Sequence, residues 1–275
     1  MGETKEPQTE QAELGFTTVN LPSRGVLYDD KIPDGQVGVR KIMGSEEALL
    51  LAQGSQGLER MEITLKKCVR LPNDFKHSDL LMTDRMACML AMRTITFGPR
   101  YQFDYKCRYC GQQQQAEISI LEDLDEATPD SLALKMAEKG IEDWTLEEPV
   151  HLDLPDAKKH ITLRFLRGYD EQKIVRRTKR LLLQSVDPGD PSYLFRFALQ
   201  IVSIDEEELD SKAGLSKREL FVRKLTATDT AAIRIAVDEV EPGIDLTVYP
   251  ECRGCGAANS MPMPFTAEFF RPTRL

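Results

Sequence analysis

Two short motifs constrain this chain more than anything else in it: Cys107-Arg-Tyr-Cys110-Gly111 and Cys252-Arg-Gly-Cys255-Gly256. Each places two thiols three positions apart and follows them with glycine. That spacing lets a tight turn aim both sulfurs at one point, and the glycine lets the backbone reverse without a Cβ clash. Two such knuckles supply the four tetrahedral ligands that zinc prefers, and a shell of four thiolates leaves no position open for water, so the site is structural. The reading is therefore a single zinc ion held by Cys107, Cys110, Cys252 and Cys255. Cys110 and Cys252 stand 142 positions apart. The chain between them must leave from one hairpin and return to the other. Loop-closure entropy grows only slowly with length, so the gap is no obstacle. Four thiolates around a divalent cation leave two excess negative charges, and Lys106, Arg108 and Arg253 are placed to offset them.

Other uses of CxxC fit less well. A redox motif belongs at the turn of a βαβ unit, whereas these sit in hairpins. Disulfides are disfavoured in a reducing cytoplasm, and the polar, acidic opening MGETKEPQTEQAEL has no secretory pattern. An iron–sulfur cluster also takes four thiolates. The two remaining cysteines, Cys68 and Cys88, are isolated on helix faces and read as small buried apolar residues.

The 275 residues are enough to bury a core without help from metal, so zinc would fix one region rather than rescue the fold. A net charge of -9 and a pI near 5.1 disfavour general nucleic-acid binding. No stretch has the length of a membrane span.

The pattern along the chain predicts an α+β protein. Residues 1–14 form a polar arm. Residues 15–100 form a strand and helix block: strands around Phe16–Leu21 and Val37–Ile42, then helices starting at the Ser45 cap, over Leu58–Val69, and over Asp84–Ile95 with Thr83 as cap. Residues 101–120 and 244–275 make a zinc-knuckle β module with an aromatic tail. In it, Phe103 and Tyr105 alternate before the first knuckle, Ala116, Ile118 and Ile120 alternate after it, and a strand over Asp245–Tyr249 leads to the second. Residues 121–243 form an α-rich insertion. It carries a strand at Ile161–Phe165, a Lys/Arg-rich helix over Tyr169–Gln184, and a sharp loop at Asp187–Pro191. Helices follow over Tyr193–Val202, over Ser216–Lys224, and from a Thr226/Asp229 capping box to Val240.

Nothing else rises to chemistry. His77, His151 and His160 show no paired spacing, and there is no phosphate loop or nucleophile elbow. The basic run Lys173, Arg176, Arg177, Lys179, Arg180 is a solvated helix face or a docking surface for an acidic partner. Met82, Met86, Met89 and Met92 fit core packing. Phe265, Phe269 and Phe270 either fold back on the core or anchor another subunit.

VNLPSRGVLYDD, VRKIMGSEEALLL, LPNDF with LLMTDRMACMLAMRTITFGPRYQFDYKCRYCG, and the closing CRGCG with FFRP together resemble the T-even bacteriophage baseplate protein family of contractile-tailed phages. The resemblance implies a non-enzymatic hub component or hub-assembly factor. Its partners would be other baseplate, hub and tail proteins, with a symmetric oligomer as one arrangement, first in the host cytoplasm and then in the virion tail. The zinc ligands come from the residues themselves. Competing readings are a nucleic-acid-binding zinc-ribbon protein, to be separated by a salt-dependent gel shift, and a CxxC thiol-redox protein.

Overall fold

The computed structural model describes residues 15–52, 57–72, 74–182, 192–209, 211–265 and 267–270. The expected polar arm and the Asp187–Pro191 loop lie outside them.

The N-terminal block opens with β1 (Thr17–Asn20) and β2 (Gln36–Val39), an antiparallel pair. The loop between them carries LPSRGVLYDD, and its geometry is exacting. Gly25 has φ +79°, and a Cβ there would lie 2.1 Å from the carbonyl oxygen of Ile32. Helices α1 (Gly44–Leu51) and α2 (Gly57–Cys68) follow. The expected cap at Ser45 is corrected: Met43 is the N-cap, and Glu46 reaches back to accept its N–H at 2.9 Å. The helix expected over Leu58–Val69 ends one residue short, at Cys68. Val69 leaves α2 to form β3 (Val69–Arg70), opposite Val39 of β2.

Helix α3 (Met82–Phe97) likewise starts before the predicted Thr83 cap, at Leu81, whose N–H is taken by the Tyr28 hydroxyl at 3.0 Å. It runs two residues past the expected Ile95 and is capped by Gly98, φ +88°. Residues three to four apart share a helix face. Cys88 and Met92 of α3 therefore enter the large core, while Met86 and Leu90, on the other side, enter a second, smaller one.

Two strands, β4 (Arg100–Lys106) and β5 (Gln113–Ser119), form the expected hairpin with seven cross-strand pairs. The insertion begins at β6 (Glu126–Ala127) and α4 (Pro129–Glu138). The sequence reading missed α4, although Thr128 with Ser131 makes a capping box and Pro129 stands at its first turn.

One strand was expected next, and four are present. β7 (Val150–Asp153) and β8 (His160–Leu163) form a hairpin. After α5 (Gly168–Leu182) and α6 (Tyr193–Gln200) come β9 (Ile201–Ile204) and β10 (Glu207–Glu208), giving the order β10-β9-β8-β7. The helix expected through Val202 stops at Gln200 because Ile201–Ile204 pairs with β8. Short β-branched runs suit both helix and strand until a neighbour decides.

Helix α7 (Lys212–Val222) starts earlier than predicted, at an N-cap on Ser211, and α8 (Ala227–Asp238) opens on the Thr226/Asp229 box. The predicted Asp245–Tyr249 strand is split into β11 (Gly243–Ile244) and β12 (Thr247–Val248), which pair with β6 and β13 (Met261–Pro262). The β6–β11 pairing brings residues 125–127 and 243–245 side by side, with the N–H of Asp245 donating to the carbonyl of Asp125 at 2.8 Å. A last turn, α9 (Ala267–Phe270), sends Phe269 into the second core.

The large core runs through Leu21, Val39, Leu65 and Cys88 to Ile161, Phe165, Ile201 and Ile233, so the N-terminal block and the insertion share it. The second core joins Tyr101, Phe103, Tyr105 and Ile118 of the hairpin to Val248, Met263 and Phe269. The α3 helix lies between them.

Candidate metal centre

Both knuckles are the same structure built twice. In the first, the N–H of Gly111 donates to the carbonyl of Cys107 at 2.9 Å, and that of Cys107 to the carbonyl of Gln112 at 3.0 Å. In the second, Gly256 donates to Cys252 at 2.8 Å, and Cys252 to Ala257 at 2.9 Å. Gly111 and Gly256 take φ +75° and +71°, the left-handed region that glycine enters without strain. Within each knuckle the first cysteine is buried and the second exposed.

Folding brings the four sulfurs within 4.8 Å of one another. Cys107 and Cys255 are 3.8 Å apart, and Cys110 and Cys252 3.6 Å. A disulfide needs about 2.05 Å, and all four thiols are free. A tetrahedron with metal–sulfur bonds of about 2.3 Å has sulfur–sulfur edges of about 3.8 Å. These separations suit a shared cation and not a covalent bond.

Side chains outside the motifs complete the arrangement. Gln114 donates its Nε2 to Cys252 Sγ at 2.8 Å, and its Oε1 accepts the N–H of Arg253 at 2.9 Å. Asn259 is buried, accepts the N–H of Arg108 at 3.0 Å, and donates to the carbonyl of Ala257 at 3.0 Å. Tyr105 donates to the carbonyl of Glu251 at 3.1 Å. All of these bonds except the one from Asn259 to Ala257 tie one knuckle to the other. The sequence held no signal for them: Gln114 is one of four glutamines in a row, and Asn259 is a lone amide in a tail. Lys106, Arg108 and Arg253 flank the cluster with their side chains in solvent.

The electrostatics fit a cation. The N–H of Cys110, with those of Tyr109 and the amide of Asn259, lowers the Cys107 thiol to about 6. Burial opposes ionisation of Cys252, but the N–H groups of Cys255 and Gly254 outweigh it and its pKa falls. The N–H of Ala257 favours the Cys255 thiolate, yet crowding by Cys252, Cys110 and Cys107 raises that thiol to about 12. Four thiolates this close repel one another, and a divalent cation at their centre removes the conflict.

Elsewhere, Cys68 and Cys88 are fully buried, and burial pushes them up to about 11 and about 12. Such thiols are inert, as the sequence suggested. Two of the histidines, distant in spacing, meet in space. The β7–β8 hairpin brings His151 Nδ1 to 3.2 Å from His160 Nε2, and His160 Nδ1 lies 2.8 Å from Asp153. On α5, Arg177 pairs with Glu219 at 2.6 Å and Lys173 with Asp170 at 3.1 Å, so part of its basic face is already matched within the chain. Phe269 is spent on Tyr101, at a ring separation of 5.2 Å, while Phe265 stays 44% exposed.

Fold and site together define a protein of mixed helices and small antiparallel sheets with a four-cysteine cluster beside its second core. The chain belongs to the family described as T4 bacteriophage base plate protein, whose model matches residues 24–271. Comparison with curated proteins and with solved structures returned no match. Membership makes this a structural protein of the phage baseplate, with other tail proteins as its partners. Among the described residues, no helix is long and apolar enough to cross a membrane.

Proposed function

We propose that this chain is a non-enzymatic component or assembly factor of the baseplate hub, stiffened by one structural zinc ion on Cys107, Cys110, Cys252 and Cys255. The observation that carries the reading is the doubled knuckle. Sulfurs from residues 148 positions apart meet at 3.8 Å, the edge length of a zinc–thiolate tetrahedron. When bound, the ion supplies a cross-link and charge neutralisation. The chain does the rest: Gln114, Asn259 and Tyr105 align the knuckles, and the second core holds the hairpin against α3. The result is a rigid β module whose position on the main body does not drift, as an adaptor between neighbouring subunits requires.

Domain boundaries near residues 100, 120 and 243 are part of the proposal: the module is residues 101–120 and 244–275, and 121–243 is inserted into it. The adjacent chain ends at β6 and β11 support this. The protein would assemble in the host cytoplasm and remain in the tail. Metal analysis of the purified protein, with mass spectrometry of intact tails, tests both parts. One zinc per chain and recovery from purified tails are expected. A metal-free native protein refutes the zinc, and absence from tails refutes the retained hub component.

A further inference from the structure

We infer that the outer edge of β5 at Gln115–Glu117 is a strand-addition site for an extended segment of another protein, one that alternates basic and apolar residues. The argument starts from the parity of the β4–β5 ladder. At one end the N–H of Cys107 bonds the carbonyl of Gln112, and at the other the N–H of Ile120 bonds the carbonyl of Pro99. Hydrogen-bonded pairs in an antiparallel ladder alternate. Both ends therefore give the same phase: Ala116 and Ile118 bond to β4, while Gln115, Glu117 and Ser119 turn their N–H and C=O groups outward. Ser119 confirms it, since its N–H goes to Asp123 Oδ2 at 2.7 Å and its carbonyl accepts from Glu122 at 3.2 Å. Among the described residues, the sheet ends at β5, and nothing takes the outward groups of Gln115 and Glu117.

Those groups open onto a cleft of about 480 Å³ whose far wall is Val248–Glu251. Four consecutive β5 residues, Gln115 to Ile118, line it. Neighbouring side chains point to opposite faces, so a lining of four consecutive residues fits a cleft that reaches the strand edge. An unpaired edge of this kind recruits a strand from another chain, and main-chain bonds supply the affinity. The cleft also specifies its occupant. Glu117, Asp123 and Glu251 outnumber the one cation of the lining, Arg253, and the Arg100 of β4 that pairs with Glu117 at 3.7 Å still leaves the site net acidic. On the opposite face Ile118 is buried in the second core, with Ala116 beside it. An added strand would set basic side chains beside Gln115 and Glu117 and apolar ones beside Ala116 and Ile118.

The test uses the full-length protein and two acetylated seven-residue peptides, one alternating lysine with valine and the other glutamate with valine. The lysine peptide should bind saturably and slow amide exchange at Gln115 and Glu117 at least tenfold, and the glutamate peptide should do neither. Gln115→Pro removes one outward N–H without touching the β4–β5 ladder and should weaken binding at least tenfold. Glu251→Lys, which alters no ladder residue, should weaken the lysine peptide by a similar factor and so keeps the test decisive if Gln115→Pro does not fold. Absence of binding, protection elsewhere, equal binding of both peptides, or self-association of the protein through this edge overturns the proposal.

Discussion

Replacing Cys110 with serine tests the cluster most directly. The thiolate lost is exposed and lies 3.6 Å from Cys252 Sγ, and serine is close to its size, so packing is barely changed. On the proposed zinc site, what is lost is the closed tetrahedron. A cross-link spanning 148 positions removes close to 5 kcal/mol of unfolded-chain entropy on the loop-closure estimate. Three thiolates can still hold an ion weakly, so the expected loss is about 3 kcal/mol. For a chain of this size that lowers the melting temperature by about 5 °C. The loss should also be local. Amides of Cys107, Gly111, Cys252 and Gly256, which close the knuckles, should exchange at least a hundredfold faster. Those around Ile161, which is fully buried in the large core, should keep their protection. Metal analysis, calorimetry and amide exchange on the same samples read all three. One tightly held ion per chain with an unchanged melting temperature would refute the coordination argument. Uniform loss of protection in both cores would refute the separation of module from body.

Other perturbations probe the body. Asp84 is fully buried and accepts from the N–H and hydroxyl of Ser23, at 3.1 and 2.6 Å, and from the Tyr28 hydroxyl. Asp84→Ala strands three buried donors and should cost about 3–5 kcal/mol in denaturant unfolding, with Asp84→Asn costing clearly less. Gly25→Ala forces a Cβ against the Ile32 carbonyl at positive φ and should cost about 2–4 kcal/mol, measured the same way. Burial of Asp170 opposes its ionisation, but the Arg164 fork at 2.7 and 3.0 Å outweighs it, and its pKa lies below the usual carboxylate value. A lowered pKa contributes stability that is fully present above about pH 4 and is lost as pH falls through the folded value. Asp170→Asn should therefore lower stability at pH 7 and flatten the melting-temperature profile below about pH 4.

Local signals, and the turns that carry the thiols, were legible in the residues alone. Cysteine spacing with a following glycine specified both knuckles, because a turn that aims two sulfurs is a matter of a few consecutive dihedrals. Alternation specified the β4–β5 hairpin, and Thr226 with Asp229 specified the start of α8, for the same local reason. The resemblance carried in LPSRGVLYDD and the cysteine hairpins also pointed to the family that residues 24–271 match.

Tertiary structure decided whatever depends on a distant neighbour. Ile201–Ile204 became strand because β8 was there to pair with it. His151 met His160 because two strands came into register. Gln114 and Asn259 became the bridges of the cluster through contacts more than a hundred positions away in sequence. Hydrogen-bond partners of that kind leave no period in the chain. Only the folded backbone, by fixing the parity of one hairpin, shows which groups on its edge remain open.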